Sequence, residues 1–229
     1  MHAPASLQTF GGADLIFNDA LHEYRLPLDG RIVPSVTTIL RVTGMSIDFE
    51  ELKSRSLTLA GKIDYKRALG TAAHADCHAF DDGDLDWSTV HADVAPYIEA
   101  WATMRENLGL TPTARERRVF HPTLFYCGTL DGIFRREADG RRILIDMKLG
   151  DPADAAADLQ TAAYEEAYRI DHPDELVDER WSVHLVPECK IPYRTTNYSA
   201  QADCWEHFPK FQACVCVYHE RMARQKGTR

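Results

Sequence analysis

The sequence lacks the features that mark secreted, membrane-spanning and disordered proteins. No apolar run approaches the roughly 20 residues that a transmembrane helix needs. The opening residues, MHAPASLQTF, contain no basic segment followed by an apolar one, so we expect neither a secretory signal nor a membrane partner. Hydrophobic residues make up 45% and charged residues 27% of the chain, values that are ordinary for a globular protein and exclude a disordered one.

Short motifs of several enzyme classes are also missing. The chain has no P-loop, no glycine-rich dinucleotide turn after a strand and no Gly-x-Ser-x-Gly elbow. His74 and His78 lie four residues apart on a predicted helix, a spacing that can bind zinc, but no Glu follows His74 as a zinc-protease motif requires. The other interpretation of His74 is a partly buried histidine with ordinary hydrogen bonds.

Cysteine chemistry is not indicated. None of the six cysteines forms a Cys-x-x-Cys pair, and without a secretory signal we expect reduced thiols in a cytoplasm. Cys204, Cys214 and Cys216 lack the spacing of iron–sulfur ligands, and the last two point in different directions on a helix. We therefore expect core cysteines and no iron–sulfur cluster.

The net charge of −9 argues mildly against nucleic-acid binding by the whole surface. It does not exclude a local basic groove, because phosphates respond to charge within about 8–10 Å. Basic residues are concentrated in residues 115–118, 135–142 and 221–229, and acidic residues in 81–86 and 171–179. The total charge is thus a poor guide to partners.

The residue pattern predicts a single domain over 1–229, since 229 residues suffice for one sizeable core. An N-terminal hairpin turning at Asp29-Gly30 and several helices occupy 1–110, and a second part follows over 111–229. We predict strands at 15–17, 22–26, 31–33, 117–121, 125–136, 141–148, 181–186 and 191–198, and helices starting at 36 and spanning 48–60, 65–80, 94–108, 153–169 and 204–224. This order predicts an α/β or α+β fold with a mixed central sheet, a three-strand antiparallel meander and flanking helices.

The meander carries the most informative residues. Because side chains alternate along a strand, Asp146 and Lys148 share one face, while Ile145 and Met147 face apolar packing. Asp131 lies on the preceding strand, which a hairpin at residues 138–140 folds back beside Asp146. Two neighbouring carboxylates repel each other, and a hard divalent cation such as Mg²⁺ or Mn²⁺ removes that conflict. The other interpretation is a solvated surface ion pair.

The first helix after this strand adds an amide and a phenol. Gln160 and Tyr164 are four residues apart and share one helix face. That face can pack over the strand ends, where the two groups would hydrogen-bond Lys148, a water or a phosphate. Alternatively, Tyr164 is a core residue and Gln160 is exposed.

Together these segments resemble the PD-(D/E)XK nuclease superfamily, and in particular its RecB-like and phage-type exonuclease branch. Leu130-Asp131 stands where the family name has Pro-Asp. The resemblance runs from about Phe17 to Tyr218. It rests on residues 128–132, 145–148 and 159–164, with further similarity at 22–24, 33–40, 69–74 and 208–211.

The resemblance implies a restriction-endonuclease-like core, with residues 111–229 as its catalytic part, and assigns roles by position. Asp131 and Asp146 match the metal-binding acids, Lys148 the catalytic lysine and Met147 a carbonyl ligand. Gln160 and Tyr164 match the catalytic helix motif. His74 and Glu116 match groups that complete the metal shell.

The expected function is hydrolysis of DNA phosphodiester bonds with two Mg²⁺ or Mn²⁺ ions, as an exonuclease of phage or prophage type in DNA recombination. A phage enzyme would act in the bacterial cytoplasm, with a single-strand-annealing protein or further copies of itself as possible partners. The alternatives are a catalytically silent module that binds DNA or protein, and a metal-independent hydrolase. Expected DNA-binding residues are Arg115, Arg117, Arg118, Arg135 and Arg136.

Overall fold

The N-terminal part forms a small antiparallel sheet. The computed structural model describes residues 6–10, 13–18, 23–150 and 156–227. Strands β1 (Ser6–Phe10), β2 (Ala13–Asn18), β3 (Glu23–Arg25) and β4 (Ile32–Val33) pair in chain order. The predicted hairpin at Asp29-Gly30 is confirmed, since β3 and β4 are antiparallel. His22 lies outside the described residues.

Four helices follow, and the prediction placed one break between them wrongly. They are α1 (Val36–Thr43), α2 (Phe49–Ser54), α3 (Leu57–Asp82) and α4 (Ala95–Leu108). We expected helices over 48–60 and 65–80, but the chain breaks at Arg55 and Ser56 instead. The Ser56 side chain accepts a hydrogen bond from the Leu59 amide and thereby caps α3, while Gly61 continues that helix.

The second half of the chain builds a five-stranded mixed sheet. Its strands are β5 (Leu110–His121), β6 (Tyr126–Arg136), β7 (Arg142–Leu149), β8 (Glu179–Leu185) and β9 (Tyr193–Asn197), in that spatial order. The first three form the predicted antiparallel meander, β8 is parallel to β7, and β9 is antiparallel to β8. The strand predicted at 117–121 begins earlier, because the left-handed Gly109 ends α4 and leads directly into β5.

Helices cover both faces of this sheet. On one face α1, α5 (Ala157–Asp171) and α6 (His207–Gly227) enclose an apolar cluster that includes Leu144 and Phe211. On the other, α3 and α4 pack over Ile143, Ile145 and Met147. The alternation predicted for this strand is therefore confirmed.

Two predicted helices differ at their ends. The last helix was expected from residue 204, but residues Cys204–Glu206 form a 3₁₀ turn and α6 starts at His207. The start predicted for the helix over 153–169 falls on residues 151–155, which are outside the described part. Within the described ranges, no helix combines the length and apolar character needed to cross a membrane.

Candidate active site

The site begins where β6 and β7 separate. Their pairing runs from Arg135–Arg142 to Gly132–Ile145 and then stops. Just beyond, the Asp131 carboxylate accepts a hydrogen bond from the Met147 amide, with Oδ2 at 2.7 Å from the nitrogen. At this position the Asp131 side chain, and not a backbone carbonyl of β6, is the acceptor for the Met147 amide.

Asp146 is the buried acid of the site. Its side chain is only 4% exposed, and Oδ1 accepts a hydrogen bond from Gln160 Nε2 at 3.0 Å. Lys148 Nζ lies 3.0 Å from Oδ2, yet no described residue donates a well-directed hydrogen bond to that oxygen. The carboxylate therefore keeps one buried oxygen that can accept a further positive charge.

Gln160 connects the acid to the lysine and the tyrosine. Its Oε1 accepts a hydrogen bond from Lys148 Nζ at 3.2 Å, and its Nε2 also donates to the Tyr164 hydroxyl at 3.2 Å. Gln160 and Tyr164 are both buried. The prediction that this face of α5 packs over the strands is therefore confirmed. The alternative prediction, that Gln160 is exposed, is wrong. The catalytic roles of these groups stay predictions.

Gly128 makes room for the Tyr164 ring. A β-carbon at Gly128 would lie 2.5 Å from Tyr164 Cε1, which is closer than real carbon atoms approach. The absence of a β-carbon at Gly128 thus lets the edge of the tyrosine ring approach the β6 backbone closely. This contact fixes the height of α5 above the sheet and hence the position of Gln160.

Two histidine–carboxylate pairs extend the site toward α3. His74 Nδ1 lies 3.5 Å from Asp131 Oδ1, so His74 reaches the site as predicted. One helical turn later, His78 Nε2 lies 3.8 Å from Glu116 Oε1. Glu116 has a backbone φ of 43° inside β5, a left-handed conformation that is unfavourable for a residue other than glycine.

The charges of the site influence one another. Burial is the largest influence on Asp146 and raises its pKa to about 6; Lys148 opposes this rise and Asp131 adds to it. Burial is also the largest influence on Asp131 and acts to raise its pKa, but His74, Lys148 and the Met147 amide together outweigh it, so that this pKa lies below its usual value. Burial acts to lower the pKa of His74, and Asp131 reverses the effect and raises it.

The carboxylates fit a hard divalent cation. The Asp146 Oδ2 atom, which lacks a hydrogen-bond donor among the described residues, and the neighbouring Asp131 carboxylate are oxygen ligands of the kind that Mg²⁺ and Mn²⁺ prefer. The Met147 carbonyl points to the same side of β7 as its amide, which is directed toward Asp131. No group of three His, Cys, Asp or Glu side chains in the described part is arranged to hold a metal by itself. Mg²⁺ is commonly held by only one or two carboxylates together with water.

Cavities flank the site on two sides. One, of about 480 Å³, is bordered by Lys148 and Gln160, and the other, of about 550 Å³, by Glu116 and Tyr164. The sequence analysis did not identify several residues that line these cavities. Residues Thr37 and Thr38 at the start of α1 line both, and His184 lines the first. The role of His184 in lining the first cavity follows only from the parallel pairing of β7 with β8, which places His184 beside Lys148.

The predicted DNA-binding arginines divide into two groups. Arg115, Arg117 and Arg118 lie on β5 on either side of Glu116, although Arg115 is ion-paired with Asp82. Arg135 and Arg136 lie four and five residues along β6 from Asp131, about 13 Å or more away.

Arg136 binds carboxylates of its own protein. Its guanidinium contacts Asp139 at 2.7 Å and Glu179 at 2.8 Å. It therefore stabilises the far end of the sheet, and the structure gives it no place beside the site.

Cys214 and Cys216 lie on different faces of α6. Cys214 is buried and Cys216 is exposed on α6, which confirms that they point in different directions. Neither a protein-family model nor a curated protein sequence matches this chain.

Proposed function

We propose that this protein is a divalent-cation-dependent nuclease that hydrolyses DNA phosphodiester bonds. The observation that carries the proposal is the convergence of Asp131, Asp146 and Lys148 where the pairing of β6 with β7 stops, with Gln160 joining Asp146 to Lys148. A restriction-endonuclease-like core and an exonuclease of phage type are part of the same proposal. They are supported by the order of the motifs along the chain.

Different residues of the site would bind the cation and act on the water and the phosphate. Asp131 and Asp146, with the Met147 carbonyl and His74, would hold Mg²⁺ or Mn²⁺. The bound ion would supply Lewis-acid stabilisation of a phosphoryl oxygen. The Lys148 ammonium lies 3.0 Å from the Asp146 carboxylate, so it can orient an attacking water and balance the charge that develops on the phosphate.

Gln160 and Tyr164 act as positioning residues. The amide of Gln160 holds the Lys148 ammonium and the Asp146 carboxylate in fixed relation. The Tyr164 hydroxyl accepts the second amide hydrogen, and burial raises the pKa of Tyr164 well above its usual value. The phenol therefore stays protonated throughout the neutral pH range.

A cleavage assay tests the proposal. We expect the purified protein to degrade end-labelled linear DNA with Mg²⁺ or Mn²⁺, and Asp146→Ala or Lys148→Ala to abolish degradation while folding persists. Asp174→Ala and Lys190→Ala are matched controls, because both side chains are exposed and outside the site. Undiminished cleavage by both site variants would refute the assignment.

The same assay separates the alternatives. Release of single nucleotides from linear DNA, with closed circles left intact, identifies an exonuclease, whereas nicking of circles identifies an endonuclease. DNA binding without cleavage under any divalent cation would favour the catalytically silent module. Cleavage in EDTA would favour a metal-independent hydrolase.

A further inference from the structure

The first cavity has an apolar wall although it adjoins the charged site. Its volume is about 480 Å³, and it extends from Lys148 and Gln160 on one side to Ile47 and Phe49 on the other. Small-molecule sites are commonly clefts of about 300–1,000 Å³ with apolar walls and a few polar groups. Three further apolar residues line this cavity: Leu40, Leu149 and Ala156.

Two apolar side chains of this wall contribute little to the core. Ile47 is 48% and Phe49 is 45% exposed, and α2, which begins at Phe49, contains no buried residue. The Asp48 side chain caps α2 by accepting hydrogen bonds from the amides of Glu50 and Glu51, and this cap fixes where Phe49 starts the helix. Single exposed apolar residues are common, but two that border one cavity beside a charged site indicate a binding surface.

The charges around the cavity favour an anionic ligand. Among the described residues that line it, the charged side chains are the cationic ones of Arg41 and Lys148. The second cavity differs, because Glu116 lines it. Arg41 lies 3.9 Å from the Asp48 carboxylate, which is a loose ion pair between two partly exposed groups. A ligand that fits the first cavity therefore has a flat apolar part and an anionic part, as a nucleotide does.

We propose that this cavity receives the unpaired base of the nucleotide whose phosphate lies at Lys148, and that Ile47 and Phe49 pack against the base. The inference rests on the proposed nuclease function, because that function places a phosphate beside Lys148. A base within a duplex is stacked and paired, so it must leave the helix before it can enter a pocket. Single-stranded DNA avoids this cost and is therefore the substrate class that the cavity fits.

The cavity should accept any of the four bases. Every base has a π face, so stacking on an aromatic ring tolerates changes of sequence. Thr37, Thr38 and Ser46 also line the cavity, and a hydroxyl group can both donate to and accept from a base edge. Binding should thus depend on the presence of a base and not on its identity.

An abasic strand separates contacts to the base from contacts to the phosphate. We compare a labelled oligothymidylate with a fully abasic strand of the same length, by fluorescence anisotropy with Ca²⁺ in the cleavage-deficient Asp146→Ala background. Phe49→Ala should weaken binding of the oligothymidylate about tenfold, as loss of one base–aromatic contact does, and should leave binding of the abasic strand unchanged. Phe49→Tyr, which keeps an aromatic ring, should restore the affinity.

A second aromatic residue serves as the matched control. Trp205→Ala removes a ring that is 71% exposed in the 3₁₀ turn before α6, and it should leave the binding of both strands unchanged. If Phe49→Ala does not fold, Ile47→Ala decides the question, since it should also weaken only the strand that carries bases.

A blunt duplex tests the predicted substrate class. The oligothymidylate should bind more tightly than a duplex of the same length, and Phe49→Ala should reduce this difference. Equal weakening of the base-bearing and abasic strands by Phe49→Ala, or tighter binding of the duplex, would overturn the proposal.

Failure of the base cavity and failure of the nuclease function give different results. If the wild type leaves DNA intact with Mg²⁺ and Mn²⁺, but Phe49→Ala weakens only the base-bearing strand, the nuclease function is wrong and the base cavity stands. If the wild type cleaves DNA and Phe49→Ala affects both strands alike, the base cavity is wrong and the nuclease function stands.

Discussion

Asp146 is an ionisable residue whose burial is costly for the folded protein. Its side chain is almost fully enclosed, and burial raises its pKa to about 6, from an ordinary value of 3.8. An ionised carboxylate in such a place is unfavourable unless positive charge is near. The fold accepts this cost at the point where Lys148 and a cation can balance it, which is typical of functional sites.

The raised pKa of Asp146 predicts a pH-dependent stability. The folded protein binds this proton more tightly than the unfolded chain, so the stabilisation is fully present below pH 3.8 and is lost as pH rises through about 6. Asp146→Asn removes the effect. In EDTA, the free energy of unfolding of the wild type, relative to Asp146→Asn, should fall by about 1.4 kcal/mol between pH 5 and pH 8.

Urea denaturation at several pH values measures this difference. Asp174→Asn, which replaces an exposed acid, should differ from the wild type by a constant amount across the same range. A difference between wild type and Asp146→Asn that does not change from pH 5 to pH 8 would contradict the raised pKa.

The contact between Gly128 and Tyr164 gives a steric prediction. Gly128→Ala places a methyl group 2.5 Å from Tyr164 Cε1, and the ring is held by Gln160 on one side. We expect a loss of about 1–3 kcal/mol in unfolding free energy, as for other overpacked cores. Thermal and urea denaturation measure it.

A double-mutant cycle shows whether the ring is the cause. In a Tyr164→Leu background the cost of Gly128→Ala should shrink to well under half, because the clashing atom is gone. Gly70→Ala on α3 is the control, since a β-carbon there meets nothing within 4 Å. An equal cost of Gly128→Ala in both backgrounds would show that the ring is not responsible.

Helix α5 is the element that carries Gln160 and Tyr164, and Arg180 on β8 anchors it. The Arg180 side chain is 5% exposed and lies 2.9 Å from the Glu165 carboxylate. It also donates to the Asp158 carbonyl at 3.1 Å and contacts His207 Nδ1 at 3.2 Å. One buried guanidinium therefore joins the sheet to α5 and to the start of α6.

Removal of this anchor should destabilise the protein. Arg180→Leu leaves the Glu165 carboxylate and the Asp158 carbonyl without their partner, at an expected cost of about 2–4 kcal/mol in urea denaturation. Adding Glu165→Leu should recover part of the loss. Arg169→Leu, whose exposed guanidinium pairs with Glu166 on the same helix, should cost under about 1 kcal/mol. Equal effects of the two arginine variants would contradict the anchoring role.

The placement of the site residues on β7 and α5 was predictable from the sequence, because it follows from local periodicity. Ile143, Ile145 and Met147 had to share the face opposite Asp146, and an Asp-Gly turn placed Asp131 beside that strand. The four-residue spacing of Gln160 and Tyr164 likewise put both groups on one face of α5. These are local rules, and tertiary packing did not override them.

Other features depend on contacts that local patterns do not contain. The break between α2 and α3 follows the Ser56 cap, whereas the sequence pattern predicted a helix that continues to residue 60. Arg136 was predicted to bind DNA because its partner was not apparent from the local sequence. In the fold it binds Glu179, which lies 43 residues later in the chain. The left-handed backbone of Glu116 was not predicted either, because no glycine or turn pattern marks this position of β5.

At the scale of the whole molecule, the charge balance constrains how DNA, the substrate of the proposed function, would bind. A net charge of −9 repels a polyanion at long range, so attraction must come from a few cationic groups close to the site. Arg117 is exposed and adjacent to Glu116 on β5, whereas Arg135 is exposed at the far end of β6. Position along the sheet, and not charge alone, should then decide which arginine contacts phosphate.

The salt dependence of DNA affinity distinguishes these two arginines. In the cleavage-deficient Asp146→Ala background with Ca²⁺, Arg117→Ala should weaken binding of all sequences equally and reduce the slope of log K against log salt by about 0.7–0.9, the loss of one phosphate contact. Arg135→Ala, which removes the same charge, should leave the slope unchanged. Fluorescence anisotropy from 50 to 200 mM salt measures both. Equal slopes for the two variants would mean that DNA does not follow β5, since each lowers the net charge by the same amount.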